Sequence, residues 1–282
     1  MASETRTPRN REGRMSLGEH LVELRKRLII AAIGLLVGLV AGWLLVEYVW
    51  DLLRQPIDAL QEQGRDATLA YSSVTEAFDL RVQIALFIAI IVTCPVWLYQ
   101  IWAFLAPGLT RREKLYGVGF IGAAVPLFLA GVYAAWYVLP NIVLLLSTFQ
   151  PEEDAYYQSA RIYIDFVLKL LLAVGAGFVM PVVLVMLNFL GVIRGKTILK
   201  GWRVAILVIV LFAAITTPAV DLSSMFLLAV PMVVLYFVAV GIALLHDRRI
   251  DKKRAAEFAE YGIDLSEPDV SDESDGAQGK SS

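Results

Sequence analysis

Six apolar stretches divide the chain, and nearly all of its charged residues lie outside them. The stretches are Leu28–Val49, Ile84–Leu105, Tyr116–Val138, Leu170–Val192, Val204–Ile215 and Leu222–Leu245. A transmembrane helix needs about 20 apolar residues, and all but the fifth stretch reach that length. The pattern therefore predicts an all-α membrane protein with six transmembrane helices, of which the fifth is short.

The fifth stretch, Val204–Ile215, would form only about 18 Å of helix, against a hydrocarbon core of about 30 Å. A re-entrant hairpin is the alternative, but it would move the basic run at 248–254 to the opposite side of the membrane from the other basic segments. We therefore expect a true crossing, beside which the bilayer is locally thinned.

Lysine and arginine are concentrated in alternate gaps between the stretches. One set of gaps and ends holds Arg6, Arg9, Arg11, Arg14, Arg25, Lys26, Arg27, Arg111, Arg112, Lys114, Arg194, Lys196, Lys200, Arg203, Arg248, Arg249, Lys252, Lys253, Arg254 and Lys280. The other gaps hold only Arg54, Arg65, Arg81 and Arg161, with Lys169 inside a span. Because basic loops stay on the cytoplasmic side, we expect a protein of the cytoplasmic membrane with both termini in the cytosol.

The composition supports a single membrane domain. Hydrophobic residues make up 58% of the chain and charged residues 18%, whereas soluble proteins average about a quarter charged. We expect a disordered basic tail at 1–16, a six-helix membrane domain at 17–245, and a charged, largely disordered cytosolic tail at 246–282. The net charge of -2 hides this division, since the acidic tail offsets the basic segments.

Motifs of catalysis are missing from the sequence. It contains no phosphate-binding glycine loop, no His-Glu-x-x-His and no Gly-x-Ser-x-Gly. Cys94 is the only cysteine, and His20 and His246 are too few for a zinc site. We expect neither enzymatic activity nor a metal or cofactor, and no nucleic acid among the partners.

Two local signals concern helix geometry. Prolines fall within four of the longer stretches, at Pro95, Pro126, Pro181 and Pro231. Each removes a backbone donor, so the helices can bend into a concave wall, although ordinary curvature is the alternative for any single proline. Ser73 and Glu76 have the spacing of a capping box and predict a helix start.

Three segments carry a family resemblance. They are HLVELRKRL at 20–28, LYQIWAFLAPGLTRRE at 98–113, and DLSSM with LAVP at 221–231. Together they resemble the TatC family, the multi-spanning subunit of the twin-arginine protein translocase. The resemblance extends from Leu17 to Leu245 and includes the number of spans, the short fifth helix and the orientation.

The resemblance implies a receptor for signal peptides that bear paired arginines on folded cargo proteins. It also implies single-span partners of the TatA and TatB type, further copies of this subunit, and transport driven by the proton gradient. A carboxylate at the bilayer surface suits such a receptor, because it accepts the planar fork of donors of a guanidinium.

The resemblance assigns the recognition residues individually. They are Glu23, Leu24 and Arg25 before the first span, Phe104 after the second, and Glu113 as the recognition glutamate. Each carboxylate has a plainer alternative, since Glu113 can pair with the basic residues beside it and Glu23 can neutralise its own basic run. An exposed pair of that kind contributes only about 0–1 kcal/mol.

Two more positions are candidates. Lys169 lies inside a span, where a cation costs about 2.5–3.5 kcal/mol; it either snorkels or pairs with Asp165, or it docks a partner helix. Many members of the family carry an acid in this helix where the present chain has Val179. Asp221 matches an outer-face functional position of the family, and capping of the sixth helix is the alternative account.

Two other functions compete with the receptor. A secondary transporter of a small solute would show internal repeats and polar groups at the membrane midplane, and the sequence has no convincing repeat. A membrane scaffold would not need paired carboxylates beside exposed aromatic residues.

Overall fold

The described part of the chain is almost entirely helical. The structure, a computed structural model, describes residues 17–62, 67–105, 113–148, 156–217 and 222–260. The predicted tail at 1–16 lies outside these residues. The elements in chain order are α1 (Leu17–Glu62), β1 (Ala67–Ala70), α2 (Val74–Val92), α3 (Cys94–Leu105), α4 (Glu113–Ser147), β2 (Tyr156–Ser159), α5 (Ala160–Phe189), α6 (Gly195–Lys200), α7 (Trp202–Thr216) and α8 (Leu222–Glu260).

Four helices are long and apolar enough to cross a membrane, namely α1, α4, α5 and α8. Helices α2 and α3 together make a fifth candidate, which is bent by 60°. Helix α7 is apolar but has only 15 residues, or about 22 Å of helix. The all-α membrane architecture and the short helix are confirmed, while the crossing by α7, and with it the count of six, stays a prediction.

The break between α2 and α3 lies at Thr93, two residues before Pro95, and nearby side chains donate hydrogen bonds to carbonyls beside it. Thr93 donates to the Ala89 carbonyl through both its N–H (2.9 Å) and its Oγ1 (2.7 Å). The indole N–H of Trp97 donates to the Ile90 carbonyl at 2.9 Å. These hydrogen bonds make the break tolerable within a span, where unpaired backbone groups are costly.

The other span prolines lie inside continuous helices: Pro126 in α4, Pro181 in α5 and Pro231 in α8. An apolar groove of about 380 Å³ opens between these three helices. Of the four span prolines, only Pro181 lines it, together with residues such as Phe120, Met186 and Ile242. Three of the four span prolines thus lie away from this groove, and bending of the helices at these prolines stays a prediction.

At the end of the bundle opposite to Phe104, two short strands pair. β1 and β2 are parallel, with Ala67 opposite Tyr156 and Ala70 opposite Ser159. This pairing joins the α1–α2 connection to the α4–α5 connection, and the sequence pattern did not predict it.

The predicted capping box at the start of α2 is confirmed. Ser73 is the N-cap of α2, and its Oγ accepts from the Glu76 N–H at 3.2 Å. The Glu76 carboxylate in turn accepts from the Ser72 N–H.

Glycines at every fourth position allow α1 to lie close to α2 and α3. A Cβ added to Gly34 would lie 3.1 Å from Val96, and one added to Gly38 would lie 2.5 Å from Thr93. At Gly42 the added Cβ would come within 2.2 Å of the Ala85 carbonyl oxygen. Small residues at such spacing let backbones approach closely in membranes, where van der Waals packing drives helix association.

Helix α8 continues beyond the predicted end of the membrane domain at Leu245. Residues 246–260 are helical, and they carry the basic run at 248–254. The expectation of a largely disordered tail is therefore corrected for this segment, which is rich in the strong helix formers Ala, Lys, Arg and Glu. Residues 261–282 lie outside the part that the structure describes.

Substituting Gly42 with Ala should lower the free energy of unfolding by about 1–3 kcal/mol, because the methyl group forces α1 away from the α2 backbone. The reactivity of the buried Cys94 thiol with a fluorescent probe during heating in detergent would measure this. Gly122 to Ala is the matched control, since a Cβ there meets nothing within 4 Å. Identical melting of the two variants would contradict the close packing at Gly42.

Candidate functional site

The basic segments of the described chain gather at one end of the bundle, called here the basic end. It comprises the start of α1, the end of α3, the start of α4, α6 with its flanking residues, and α8 beyond Leu245. In α1, Glu23 and Leu24 lie in the second helical turn and Arg25 lies in the third. Phe104 lies in the last turn of α3. The fold therefore places all four of these predicted site residues at the same end.

Helices α1 and α3 run antiparallel, and two side-chain contacts join them at the basic end. The rings of His20 and Phe104 stack with centroids 4.5 Å apart and an interplanar angle of 25°. Less than two turns along α1, Arg27 Nη1 donates to Gln100 Oε1 at 3.3 Å. Gln100 is 8% exposed, so this contact anchors a largely buried amide.

Glu23 lies between these two contacts and binds a guanidinium of its own helix. Arg27 Nη2 is 2.6 Å and Arg27 Nε 2.7 Å from Glu23 Oε1. Both side chains keep 26% of their surface exposed, so the pair is half-buried. The plainer sequence alternative, in which Glu23 neutralises its basic run, is thus what the structure shows for this conformation. Leu24 and Arg25 face outward and are exposed.

Helix α4 begins at Glu113, but the Glu113 side chain and residues 106–112 lie outside the described structure. The same holds for Asp221, which directly precedes α8. The structure therefore tests neither position beyond the place of Glu113 at a helix start.

Sequence reasoning missed three members of this cluster: His20, Arg27 and Gln100. The signal was present, because His20, Glu23 and Arg27 recur at helical spacing of three and four, and Gln100 and Phe104 are four residues apart. What the sequence lacked was the pairing of the two helices.

A second polar cluster at the basic end is centred on Asp247 of α8. Its carboxylate accepts from the Gly195 N–H at 2.7 Å and from Asn188 Nδ2 at 2.9 Å. Asn188 Nδ2 also donates to the Ile193 carbonyl at 2.9 Å. These bonds hold the end of α5 and the start of α6 against α8, which fixes the connection that carries the basic residues 194–203.

Lys169 lies toward the other end of α5 and is 78% exposed. Its Nζ is 3.8 Å from Asp165 Oδ2, one turn earlier, and Gln83 of α2 donates to the same carboxylate. The pairing with Asp165 predicted from the sequence is confirmed. Val179, in contrast, is 6% exposed and packs in an apolar cluster with residues such as Trp102 and Phe120.

Within the residues that the structure covers, no group of three or more His, Cys, Asp and Glu side chains could hold a metal ion. The polar contacts of the basic end suit the binding of a charged peptide segment, since they combine carboxylates, aromatic rings and exposed side chains.

These features define an all-helical integral membrane protein with several apolar helices and a charged, aromatic cluster at one end. The family model for "Sec-independent protein translocase protein (TatC)" matches residues 19–231. The chain belongs to the TatC family. It is therefore a component of a protein translocase, a transport protein, and a subunit of a Tat complex.

Relatives and solved structures agree with this assignment. The Sec-independent protein translocase protein TatC of Xylanimonas cellulosilytica is 48% identical over 250 residues, which cover 88% of this chain and 91% of the relative. TatC of Rothia mucilaginosa is 39% identical, with 90% and 89% covered. A crystal structure of the twin arginine translocase receptor TatC in DDM superposes with a TM-score of 0.67 at 33% identity, covering 79% of this chain and 99% of that one.

A cysteine pair at His20 and Phe104, made in a Cys94 to Ala background, should be cross-linked in detergent by a short bifunctional thiol reagent, because the two side chains stack in the structure. A shift in mobility on a non-reducing gel after cleavage between the helices would measure it. The pair Leu21 and Phe104 is the control, since Leu21 is 64% exposed on another face of α1. Equal cross-linking of both pairs would argue against the observed packing of α1 on α3.

Proposed function

We propose that this protein is the signal-peptide receptor and core subunit of a twin-arginine translocase that exports folded proteins across the cytoplasmic membrane. The observation that carries the proposal is the half-buried Glu23 carboxylate. It accepts a hydrogen bond from Arg27 Nε and forms an ion pair with the same guanidinium, beside the stacked His20 and Phe104 rings. A carboxylate placed to bind one guanidinium has the chemistry to read an arginine of a ligand.

Glu113 supplies the second carboxylate in this proposal. It begins α4, where the helix dipole and free N–H groups favour negative charge. Leu24 and Arg25 are exposed next to Glu23 and are accessible to a peptide. Phe104 offers an aromatic surface that a guanidinium can approach by a cation–π contact.

The groove between α4, α5 and α8 suits the apolar part of the signal peptide. Its lining from Gly119 to Ile242 is apolar, and Gly119 lies about 9 Å along α4 from Glu113. A peptide whose arginines reach Glu113 would thus have its apolar segment close to the groove. The absence of polar side chains from this lining also speaks against the rival function of a small-solute transporter, whose site would need them.

The basic end faces the cytosol in this proposal, because an excess of Lys and Arg stays on the cytoplasmic side. Both chain termini then lie in the cytosol. A folded cargo needs a passage wider than one such bundle encloses, so single-span subunits of the TatA and TatB type and further copies of this chain complete it. The proton gradient supplies the energy.

Substituting Glu113 or Glu23 with Gln should weaken binding of a synthetic twin-arginine signal peptide by about 10- to 150-fold, because each change removes a charge-assisted hydrogen bond worth about 1.5–3 kcal/mol. Isothermal titration calorimetry with the full chain in detergent measures the affinity, and photocrosslinking from Phe104 reports contact.

Glu257 to Gln is the matched control for charge, since Glu257 is exposed at the basic end and lies outside the proposed site. Undiminished affinity in both Glu23 and Glu113 variants, or equal affinities for Arg-Arg and Lys-Lys peptides, would refute the receptor function.

Lys169 is proposed to dock a partner helix, because it is 78% exposed and its pair with Asp165 is long at 3.8 Å. Lys169 to Leu should reduce co-purification of single-span subunits while the amount of inserted protein stays the same. Lys169 to Arg keeps the charge and should retain the complex. If Lys169 to Leu assembles normally, the lysine serves only its own helix.

A further inference from the structure

The contact between Glu23 and Arg27 affects the affinity of the protein for a signal peptide. This inference rests on the proposed function of Glu23, which is to bind an arginine of that peptide. We infer that Arg27 is an intramolecular competitor: its guanidinium occupies the Glu23 carboxylate in the free protein, and an arginine of the signal peptide replaces it. Arg27 is then a residue that sets the affinity of the site without contacting the ligand.

The geometry supports the replacement of one guanidinium by another at the Glu23 carboxylate. Arg27 contacts Glu23 Oε1 through Nη2 at 2.6 Å and through Nε at 2.7 Å, so one edge of the guanidinium faces the carboxylate. A peptide arginine would present the same donors to the same acceptor. Because the two guanidinium groups carry equal charge, both cannot occupy this position together without mutual repulsion.

The displaced Arg27 side chain has a second partner already in contact. Its Nη1 donates to Gln100 Oε1 at 3.3 Å, and Gln100 is held within the α1–α3 interface with 8% of its surface exposed. When Glu23 turns to the ligand, Arg27 keeps this hydrogen bond to α3. The exchange therefore leaves Nη1 paired, and Nε and Nη2 of this side chain, which is 26% exposed, can bind water.

The expected change in affinity follows from the strength of the ion pair between Glu23 and Arg27. Ion pairs with this exposure are weak, so we expect Arg27 to occupy Glu23 in about 60–85% of the free protein. The apparent affinity for a ligand is reduced by the fraction of sites that are open, here by about two- to sixfold. Since every ligand meets the same competitor, the factor is the same for strong and weak signal peptides.

The test measures binding of synthetic Arg-Arg and Lys-Lys signal peptides to the full chain in detergent by titration calorimetry. Arg27 to Gln should bind both peptides about two- to sixfold more tightly than the native protein, and Arg27 to Lys, which cannot form the two-point contact, should lie between them. Lys26 to Gln is the matched control, because it removes the same charge from the neighbouring, exposed position. The gain from Arg27 to Gln has to exceed the gain from Lys26 to Gln.

Two results separate this inference from the function on which it rests. In a Glu23 to Gln background, the gain from Arg27 to Gln should fall to the gain from Lys26 to Gln, because the competitor has no carboxylate left to occupy. If Glu23 to Gln weakens binding while Arg27 to Gln binds no better than Lys26 to Gln, the competitor role is overturned and the receptor function stands. If Glu23 to Gln leaves affinity unchanged, Glu23 does not read arginine. Cys94 protection from a thiol probe confirms that each variant is folded.

Discussion

The requirement that every backbone N–H and C=O within hydrocarbon finds a partner inside the protein governs this structure. It explains why the described spans are helices and why the two paired strands lie at an end of the bundle. The break between α2 and α3 obeys the same rule, because Thr93 and Trp97 bind the carbonyls of Ala89 and Ile90. The 60° bend is therefore a satisfied conformation that the protein can hold.

The bend determines where the site residues meet. Residue numbers fall along α1 while they rise along α3 toward the basic end, so the two helices are antiparallel. The close pairs are Gly34 with Val96, Arg27 with Gln100, and His20 with Phe104. The glycines set the close approach of the helices, and the polar and aromatic contacts continue it to the basic end. A change in helix spacing deep in the membrane would thus alter the geometry around Glu23, the residue that we propose to bind arginine.

The sequence predicted what depends on local composition: the apolar helices, the short helix near Val204–Ile215, the capping box at Ser73, and the common end of Glu23 and Phe104. It did not predict the parallel strand pair, because four residues in each of two distant connections carry no periodic signal. The Arg27–Gln100 contact was also missed, since it depends on the register between two helices. The helical segment at 246–260 was read as a tail because its charge suggested disorder, while its residues are good helix formers.

The charges of α5 show how this chain differs from the pattern that the family resemblance implies. An acid at position 179 would lie at a buried position of an apolar cluster, where an unpaired carboxylate costs several kcal/mol, and Val179 avoids that cost. Lys169 instead lies ten residues earlier, exposed and held by Asp165. If Lys169 docks a partner helix as proposed, that contact lies about 15 Å nearer the strand end than one at position 179 and has the opposite charge. A matching partner helix would carry an acceptor there rather than a donor.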